Sequence, residues 1–304
     1  MLKHIFGNRF GKDKKVERAM TTISNHALEK LQDIRVFGYL RSDGNESDYS
    51  DEYKVARIFK NSPYMQFSNN AEFQAYNAGK ISENDLWKYY INPYGFRNEW
   101  DFTETDQKKI GCFGDSFTFG DGIAANEIHS YHLSELCNSR VYNVGKGGSS
   151  IQRIARTFSA FTKFVKIDIA VFTLPHVYRE FIIDMDGLAA DLIPGFPGQQ
   201  GNYHTKMLEP FLQLPEYYQK TKLSLLVNYI LDIAAERNIK VLFTTWDIPT
   251  HELLQTLAPL NIAENIFPND LDQCQARDLQ HPGKLSQKKH AENIVKELHD
   301  RAWI

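Results

Sequence analysis

The sequence predicts an α/β protein, a three-layer α/β/α sandwich built on a parallel, flavodoxin-like sheet, with an irregular N-terminal extension. From about residue 108, short apolar runs alternate with longer segments whose apolar residues recur at helical spacing. Strands that alternate with helices pair in parallel, and right-handed crossovers place helices on both faces of the sheet. In such sheets the functional residues gather at the carboxyl ends of the strands.

The predicted elements follow one another in a regular order. Apolar runs that stop at turns predict the strands, and apolar stripes with a period near 3.6 residues predict the helices. The strands are expected at 109–114, 140–144, 167–173 and 239–245, and the helices at 126–138, 149–164, 223–238 and 286–302.

Two stretches fall outside this alternation. Residues 1–105 have weak periodicity and are predicted to form an accessory region that packs on the main domain, residues 106–304. Aromatic residues crowd positions 64–100; they favour packing on the main domain over a sugar-binding surface, because aromatic side chains dominate ordinary packing. Residues 180–220 are predicted to be an irregular, lid-like insertion that overhangs the site.

Composition excludes several classes of protein. Of the 304 residues, 42% are hydrophobic and 24% are charged, which is a globular balance, and a net charge of −3 provides no electrostatic argument for a nucleic-acid partner. Three scattered cysteines suit neither a disulfide framework nor a zinc site. His129 and His132 share a helical face, but without a third ligand a packed or solvated pair is favoured over a metal site.

The sequence also bears on location. No run approaches the roughly 18–20 apolar residues that cross a bilayer, so no membrane span is expected. The basic start of the chain lacks the apolar segment of a secretory signal, and a cytoplasmic location is therefore predicted. The oligomeric state is left open.

The first strand ends in a turn that contains a serine. Gly114-Asp115-Ser116 leads directly from the strand into a helix and is followed by Gly120. The unpaired N–H groups at a helix start suit a developing oxyanion, so Ser116 is a candidate nucleophile. A simple N-cap role for Ser116 is the alternative.

The end of the chain supplies the partners that a serine nucleophile needs. A serine hydroxyl requires a base within hydrogen-bond reach, and the base requires an orienting group. Asp278 and His281 stand three residues apart in one loop, and Pro282 and Gly283 stiffen that loop before the last helix. The sequence therefore predicts a triad of Ser116, His281 and Asp278.

These runs resemble the signature blocks of the SGNH (GDSL) serine hydrolases over roughly residues 108–304. The second block is present as Asn143-Val-Gly145-Lys-Gly147-Gly148, and the segment 91–97 resembles a lead-in of some members. The resemblance implies that backbone N–H groups of Ser116 and Gly148 hold the oxyanion, with Gly145 as the less favoured glycine. It implies no metal and no organic cofactor.

The third block departs from the family pattern. Where the family has Gly-x-Asn-Asp, this chain has Thr173-Leu-Pro-His176-Val-Tyr-Arg179. The asparagine is a second oxyanion donor in the family. His176 is the first candidate to replace it, Thr173 and Arg179 are others, and a structural role for His176 is an equal alternative.

The resemblance implies a metal-independent esterase for small acyl esters, with O-acetyl groups on a carbohydrate as the first expected substrate. Two other functions fit the same residues. One is an acyltransferase on the same triad, and the other is a non-catalytic binding or structural protein that retains the fold. Two further motifs are disfavoured: position 118 is not the glycine of a G-x-S-x-G elbow, and the 145–149 glycines lack phosphate-loop spacing.

Overall fold

The computed structural model describes residues 54–55, 90–91, 96–98, 106–183, 189–192, 214–257, 260–263 and 281–304. Asp278 and most of the predicted accessory region lie outside these ranges. The strands are β1 Lys54–Val55, β2 Tyr90–Ile91, β3 Lys109–Gly114, β4 Arg140–Asn143, β5 Ile169–Leu174, β6 Glu180–Ile183, β7 Ala189–Leu192 and β8 Lys240–Thr245. The helices are α1 Ser116–Phe119, α2 His129–Cys137, α3 Ile151–Phe164, α4 Glu216–Glu236, α5 Ile248–Gln255 and α6 Lys284–Asp300, with a 3₁₀ turn at Ala125–Glu127.

The main sheet is parallel, with strand order β4-β3-β5-β8. The first two strands of this sheet in the chain, β3 and β4, are adjacent, and β5 and β8 follow on the other side of β3. This is the flavodoxin-like order, and the predicted fold class is confirmed. A parallel bridge from Phe243 to Ile262 extends the sheet beyond β8. Two-stranded antiparallel pairs are formed by β1 with β2 and by β6 with β7.

Successive side chains of a strand point to opposite faces of the sheet, and in this sheet both faces are buried. On one face Phe113, Phe172 and Phe243 stack across neighbouring strands, with ring centroids 5.2 and 5.4 Å apart, beneath helices α3, α4 and α5. On the other face Cys112, Val171 and Leu242 pack against α2 and α6. Helices therefore cover both sides of the sheet and leave its carboxyl edge for the site.

Between Arg179 and Lys220 the structure contains more regular structure than the sequence pattern predicts. The β6–β7 hairpin occupies the start of the supposed irregular insertion, and α4 begins at Glu216 rather than near residue 223. The first turns of α4 carry no aliphatic stripe because they bury the polar side chains of Gln219 and Lys222. Lys222 is buried in an ion pair with the Glu180 carboxylate, a contact that no local periodicity reveals.

Helix α5 was absent from the sequence prediction. Its eight residues are held by Asp247, the N-cap, whose carboxylate accepts from the N–H of Thr250 at 2.9 Å. In the described part of the chain, none of the helices has both the length and the apolar composition to span a bilayer.

Candidate active site

Ser116 is the first residue of α1, at the carboxyl end of the central strand β3. Asp115 caps this short helix: its Oδ1 accepts from the N–H of Phe117 at 3.0 Å. Asp115 is buried, and Ser116 is only 6% exposed. The turn thus presents the serine at the sheet edge within a largely enclosed polar environment.

Two glycines allow this tight turn. A Cβ at Gly114 would lie 2.0 Å from Oγ1 of Thr118 and 2.9 Å from the Thr173 carbonyl oxygen, so only glycine fits between α1 and β5. Gly120 ends α1 in the left-handed region at φ +83°, and its N–H donates to the Ser116 carbonyl at 2.8 Å. The glycines that flank Ser116 are therefore required by packing and by backbone conformation.

A buried arginine at the end of the lead-in segment and the asparagine that follows it hold the far end of the turn. Arg97 donates to the carbonyl oxygens of Gly120 at 2.5 Å and Ile123 at 2.6 Å. Asn98 exchanges two hydrogen bonds with the backbone of Asn143, at 2.6 and 2.7 Å. The lead-in therefore ties the serine turn to the end of β4. Sequence reasoning gave these two residues no role.

The glycine loop after β4 packs directly on α1. The amide of Asn143 donates to the Thr118 carbonyl at 2.8 Å, and its Oδ1 accepts from the N–H of Gly145 at 3.0 Å. A Cβ at Gly145 would lie 2.5 Å from the Phe119 nitrogen. Gly145 is therefore a packing glycine whose N–H is already used within the loop.

Gly148, in the same loop, differs from Gly145 in its backbone conformation and in the use of its N–H. It adopts φ +76°, in the left-handed region, and is half-buried. Among the described residues, neither its N–H nor that of Ser116 has a hydrogen-bond acceptor. These are the two backbone donors that the family resemblance implies for the oxyanion, and neither is used by another described residue.

His281 approaches the serine turn through Phe117. The two rings lie 5.3 Å apart between centroids in an edge-on arrangement, and the His281 side chain is 16% exposed. Its Nε2 lies 4.0 Å from Oδ2 of Asp121, which follows the C-cap of α1. The contacts of Ser116 do not include a hydrogen bond to His281. Asp278, the predicted orienting carboxylate, lies outside the described residues, so the structure shows His281 next to the residue that follows Ser116 and leaves the third predicted triad residue undescribed.

The end of β5 and the segment after it place the three candidate donors in different surroundings. Nδ1 of His176 accepts from the N–H of Tyr178 at 3.2 Å, and Nε2 lies 3.8 Å from Oδ1 of Asp247. Thr173 is buried, with its hydroxyl 3.5 Å from Nε2 of His290. Arg179 reaches Asp115 at 2.7 Å, next to Ser116.

A buried polar layer lies beneath the serine turn, between α2 and α6. Oε1 of Gln287 accepts from both the N–H and Nδ1–H of His129, at 3.0 and 2.8 Å, while its Nε2 donates to the Phe117 carbonyl at 3.0 Å. Burial lowers the pKa of His129 to about 4, against the opposing effect of the Gln287 hydrogen bond. Burial also lowers the pKa of His290 well below its ordinary value, and nearby His129 adds to that.

His129 is therefore neutral at pH 7 and engaged with an amide rather than set out as a metal ligand. Within the ranges that the structure describes, no cluster of three or more His, Cys, Asp or Glu side chains has metal-binding geometry.

The glycine loop also carries a lysine with an unusual pKa. Burial lowers the pKa of Lys146 to about 7; Arg153 lowers it further and Asp191 opposes the shift. Asp191, in the β6–β7 hairpin, accepts from the N–H and hydroxyl of Ser150 at 2.9 and 2.8 Å and pairs with Arg153. The hairpin is thus attached to the start of α3, directly after the glycine loop.

The chain is similar to solved structures of the GDSL/SGNH hydrolase family. One is a psychrotrophic esterase from Pseudoalteromonas sp., at 11% identity and TM-score 0.42, covering 65% of this chain and 100% of that one. Another is a member of the lipolytic G-D-S-L family from Veillonella parvula DSM 2008, at 12% identity and TM-score 0.40, covering 62% and 97%. A third is a carbohydrate esterase family 2 enzyme from Corynascus thermopiles, at 12% identity and TM-score 0.37, covering 66% and 68%. No family model and no curated protein matches the chain.

Proposed function

We propose that this protein is a serine esterase that hydrolyses small acyl esters, with Ser116 as nucleophile, His281 as general base and Asp278 as the group that orients His281. The observation that carries the proposal is the meeting of three separate segments at the carboxyl end of β3. Ser116 begins α1 there, the loop with Gly148 packs against α1 through Gly145, and His281 contacts Phe117.

The proposed chemistry follows from these positions. His281 takes the proton from the Ser116 hydroxyl as the oxygen attacks the ester carbonyl. The carbonyl oxygen becomes an oxyanion, and the N–H groups of Ser116 and Gly148, which have no acceptor among the described residues, donate to it. Collapse of the intermediate expels the alcohol, which takes its proton from His281. Water, deprotonated by His281, then releases the acid and restores Ser116.

The Ser116–His281 hydrogen bond is expected to form when substrate binds, since catalytic hydrogen bonds often shorten only in the substrate complex. The ring of Phe117, the residue after Ser116, lies 5.3 Å from the His281 ring between centroids and so keeps His281 beside the serine turn. We take acetyl groups as the first acyl group to examine, and acetylated carbohydrate as the first natural substrate.

A fluorophosphonate probe tests the proposal, because it reacts with activated serines. Wild-type protein is expected to be labelled, Ser116→Ala is expected to lose all labelling, and Ser224→Ala, which changes a half-buried serine on α4, is expected to keep it. A panel of p-nitrophenyl acetate, p-nitrophenyl octanoate and acetylated xylan then identifies the acyl group. Folded wild-type protein that takes up no probe would contradict the esterase proposal and favour a binding protein.

A further inference from the structure

We propose that Arg179, in the segment after β5, is a positioning residue for this site. It holds the serine turn and the glycine loop together, and it neutralises the Asp115 carboxylate beside the nucleophile. The inference rests on the proposed esterase function. It gives the third block a positioning role in place of the donor role that the family pattern assigns to its asparagine.

A single nitrogen of Arg179 joins the two loops. Its Nη1 donates to Oδ2 of Asp115 at 2.7 Å and to the carbonyl oxygen of Ser149 at 3.2 Å. Asp115 immediately precedes Ser116, and Ser149 immediately follows Gly148. Arg179 therefore fixes the neighbours of both residues proposed as oxyanion donors, and so sets the distance between those donors.

The ion pair also changes the electrostatics of the site. The Asp115 side chain is only 5% exposed, and its Oδ1 is occupied by the Phe117 N–H. An unpaired buried carboxylate next to Ser116 would oppose the negative charge that develops on the substrate oxygen. The Arg179 side chain is 16% exposed, and its guanidinium charge neutralises the Asp115 carboxylate. Because the guanidinium is planar, it also holds the ion pair in a fixed geometry.

Arg179 is itself held in place by the backbone around it. Its N–H donates to the His176 carbonyl at 3.1 Å, and Lys222 donates to its carbonyl at 3.4 Å. The next residue, Glu180, is buried and pairs with both Lys222 on α4 and Gln152 on α3. The segment is thus anchored to two helices, so the guanidinium is positioned before any substrate binds.

The side chains of the other two candidates in the third block do not reach Asp115 or Ser149. His176 is directed at Asp247 and the backbone of Tyr178, and the Thr173 hydroxyl faces His290. Of the three residues that the sequence offers, Arg179 is the one whose contacts reach Asp115 and Ser149.

The test compares second-order rate constants for fluorophosphonate labelling. Arg179→Gln is expected to be labelled at least about tenfold more slowly than wild type, since losing one oxyanion donor outright costs 10²–10³-fold. Arg179→Lys, which keeps the charge, is expected to recover part of the loss. Arg156→Gln, which removes an exposed arginine of α3 that contacts Phe181, serves as the matched control and is expected to label like wild type.

A double variant separates charge neutralisation from a purely structural role. Adding Asp115→Asn to Arg179→Gln removes the unneutralised carboxylate, so the double variant is expected to label faster than Arg179→Gln alone. If the contact is purely structural, the double variant is expected to label no faster than Arg179→Gln, since both partners of the ion pair are then lost. Equal labelling of Arg179→Gln and wild type would overturn the inference while leaving the esterase proposal standing.

Other outcomes remain decisive. If circular dichroism shows that Arg179→Gln is unfolded, the double variant carries the test, because it buries no unpaired carboxylate but still lacks the contact that joins the two loops; a wild-type labelling rate for the folded double variant would then overturn the inference. Folded wild-type protein without labelling would reject the esterase proposal and this inference together.

Discussion

The Nε2 atom of His281 lies 4.0 Å from Oδ2 of Asp121. Asp121 follows Gly120, is mostly buried, and its N–H donates to the Ser116 carbonyl at 3.1 Å. The serine turn therefore carries a carboxylate, that of Asp121, close to His281 Nε2. In the proposed mechanism this nitrogen accepts the proton of Ser116. A negative charge at this distance stabilises the protonated imidazolium.

Asp121→Asn is accordingly expected to lower the pH midpoint of fluorophosphonate labelling, because the variant lacks the negative charge that lies 4.0 Å from the imidazole. The rate should rise with pH through the midpoint, since His281 must be neutral to act as base. Labelling rates from pH 4 to 9 measure this, with the exposed Asp232→Asn on α4 as control. An upward shift would contradict the prediction.

Asp278→Asn separates the two carboxylates. If Asp278 orients His281, its loss is expected to slow labelling by roughly 10²–10⁴-fold, as loss of the orienting carboxylate does in characterised serine hydrolases. A small effect of Asp278→Asn together with a large loss in Asp121→Asn would transfer the orienting role to Asp121.

Gln287 is expected to support both the fold and the site. It lies on α6 six positions after His281 and bonds to the carbonyl of Phe117, so it couples the base segment to the serine turn. Gln287→Leu would leave buried groups of Phe117 and His129 without partners and is expected to cost about 2–4 kcal/mol of unfolding free energy. Urea unfolding measures this loss. Gln255→Leu, on the exposed face of α5, should stay within about 0.5 kcal/mol of wild type.

The buried histidines predict a loss of stability in acid. An unfolded histidine titrates near 6.5, whereas burial lowers the pKa of His129 to about 4 in the folded protein. Between these values the unfolded chain binds the additional proton, so this contribution is complete above about pH 6.5 and falls as pH drops towards 4. Melting temperatures across this range should fall less steeply in His129→Gln than in wild type. The exposed His299→Gln should keep the wild-type slope, and identical slopes in all three proteins would refute the prediction.

The two glycines of the loop after β4 should differ in their tolerance of alanine. A Cβ at Gly145 meets the backbone of Phe119 and Thr118 at 2.5 and 2.8 Å, so Gly145→Ala must displace α1 and is expected to reduce both stability and labelling. Gly148→Ala chiefly forces a side chain into the left-handed region, at a cost of about 1–2 kcal/mol. Thermal unfolding of both variants compares them, and a smaller loss in Gly145→Ala would contradict the packing described here.

The sheet was predictable because its signal is local. β3, β4, β5 and β8 match the predicted strands to within two residues at each end, since each is a short apolar run that stops at a turn. The start of α4 was missed for the opposite reason. Lys222 and Gln219 are buried polar residues, and the burial of Lys222 depends on Glu180, 42 positions away.

The same distinction applies to the candidate site. The sequence by itself determined the parallel fold and drew attention to Ser116, Gly148 and His281, because strand ends, glycine turns and short motifs are properties of neighbouring residues. Only the tertiary structure decided that Arg179 pairs with Asp115, that Asp121 faces His281 and that Gln287 supports Phe117. A charged or amide side chain can bond to many partners, and which one it meets depends on how segments distant in the chain pack together.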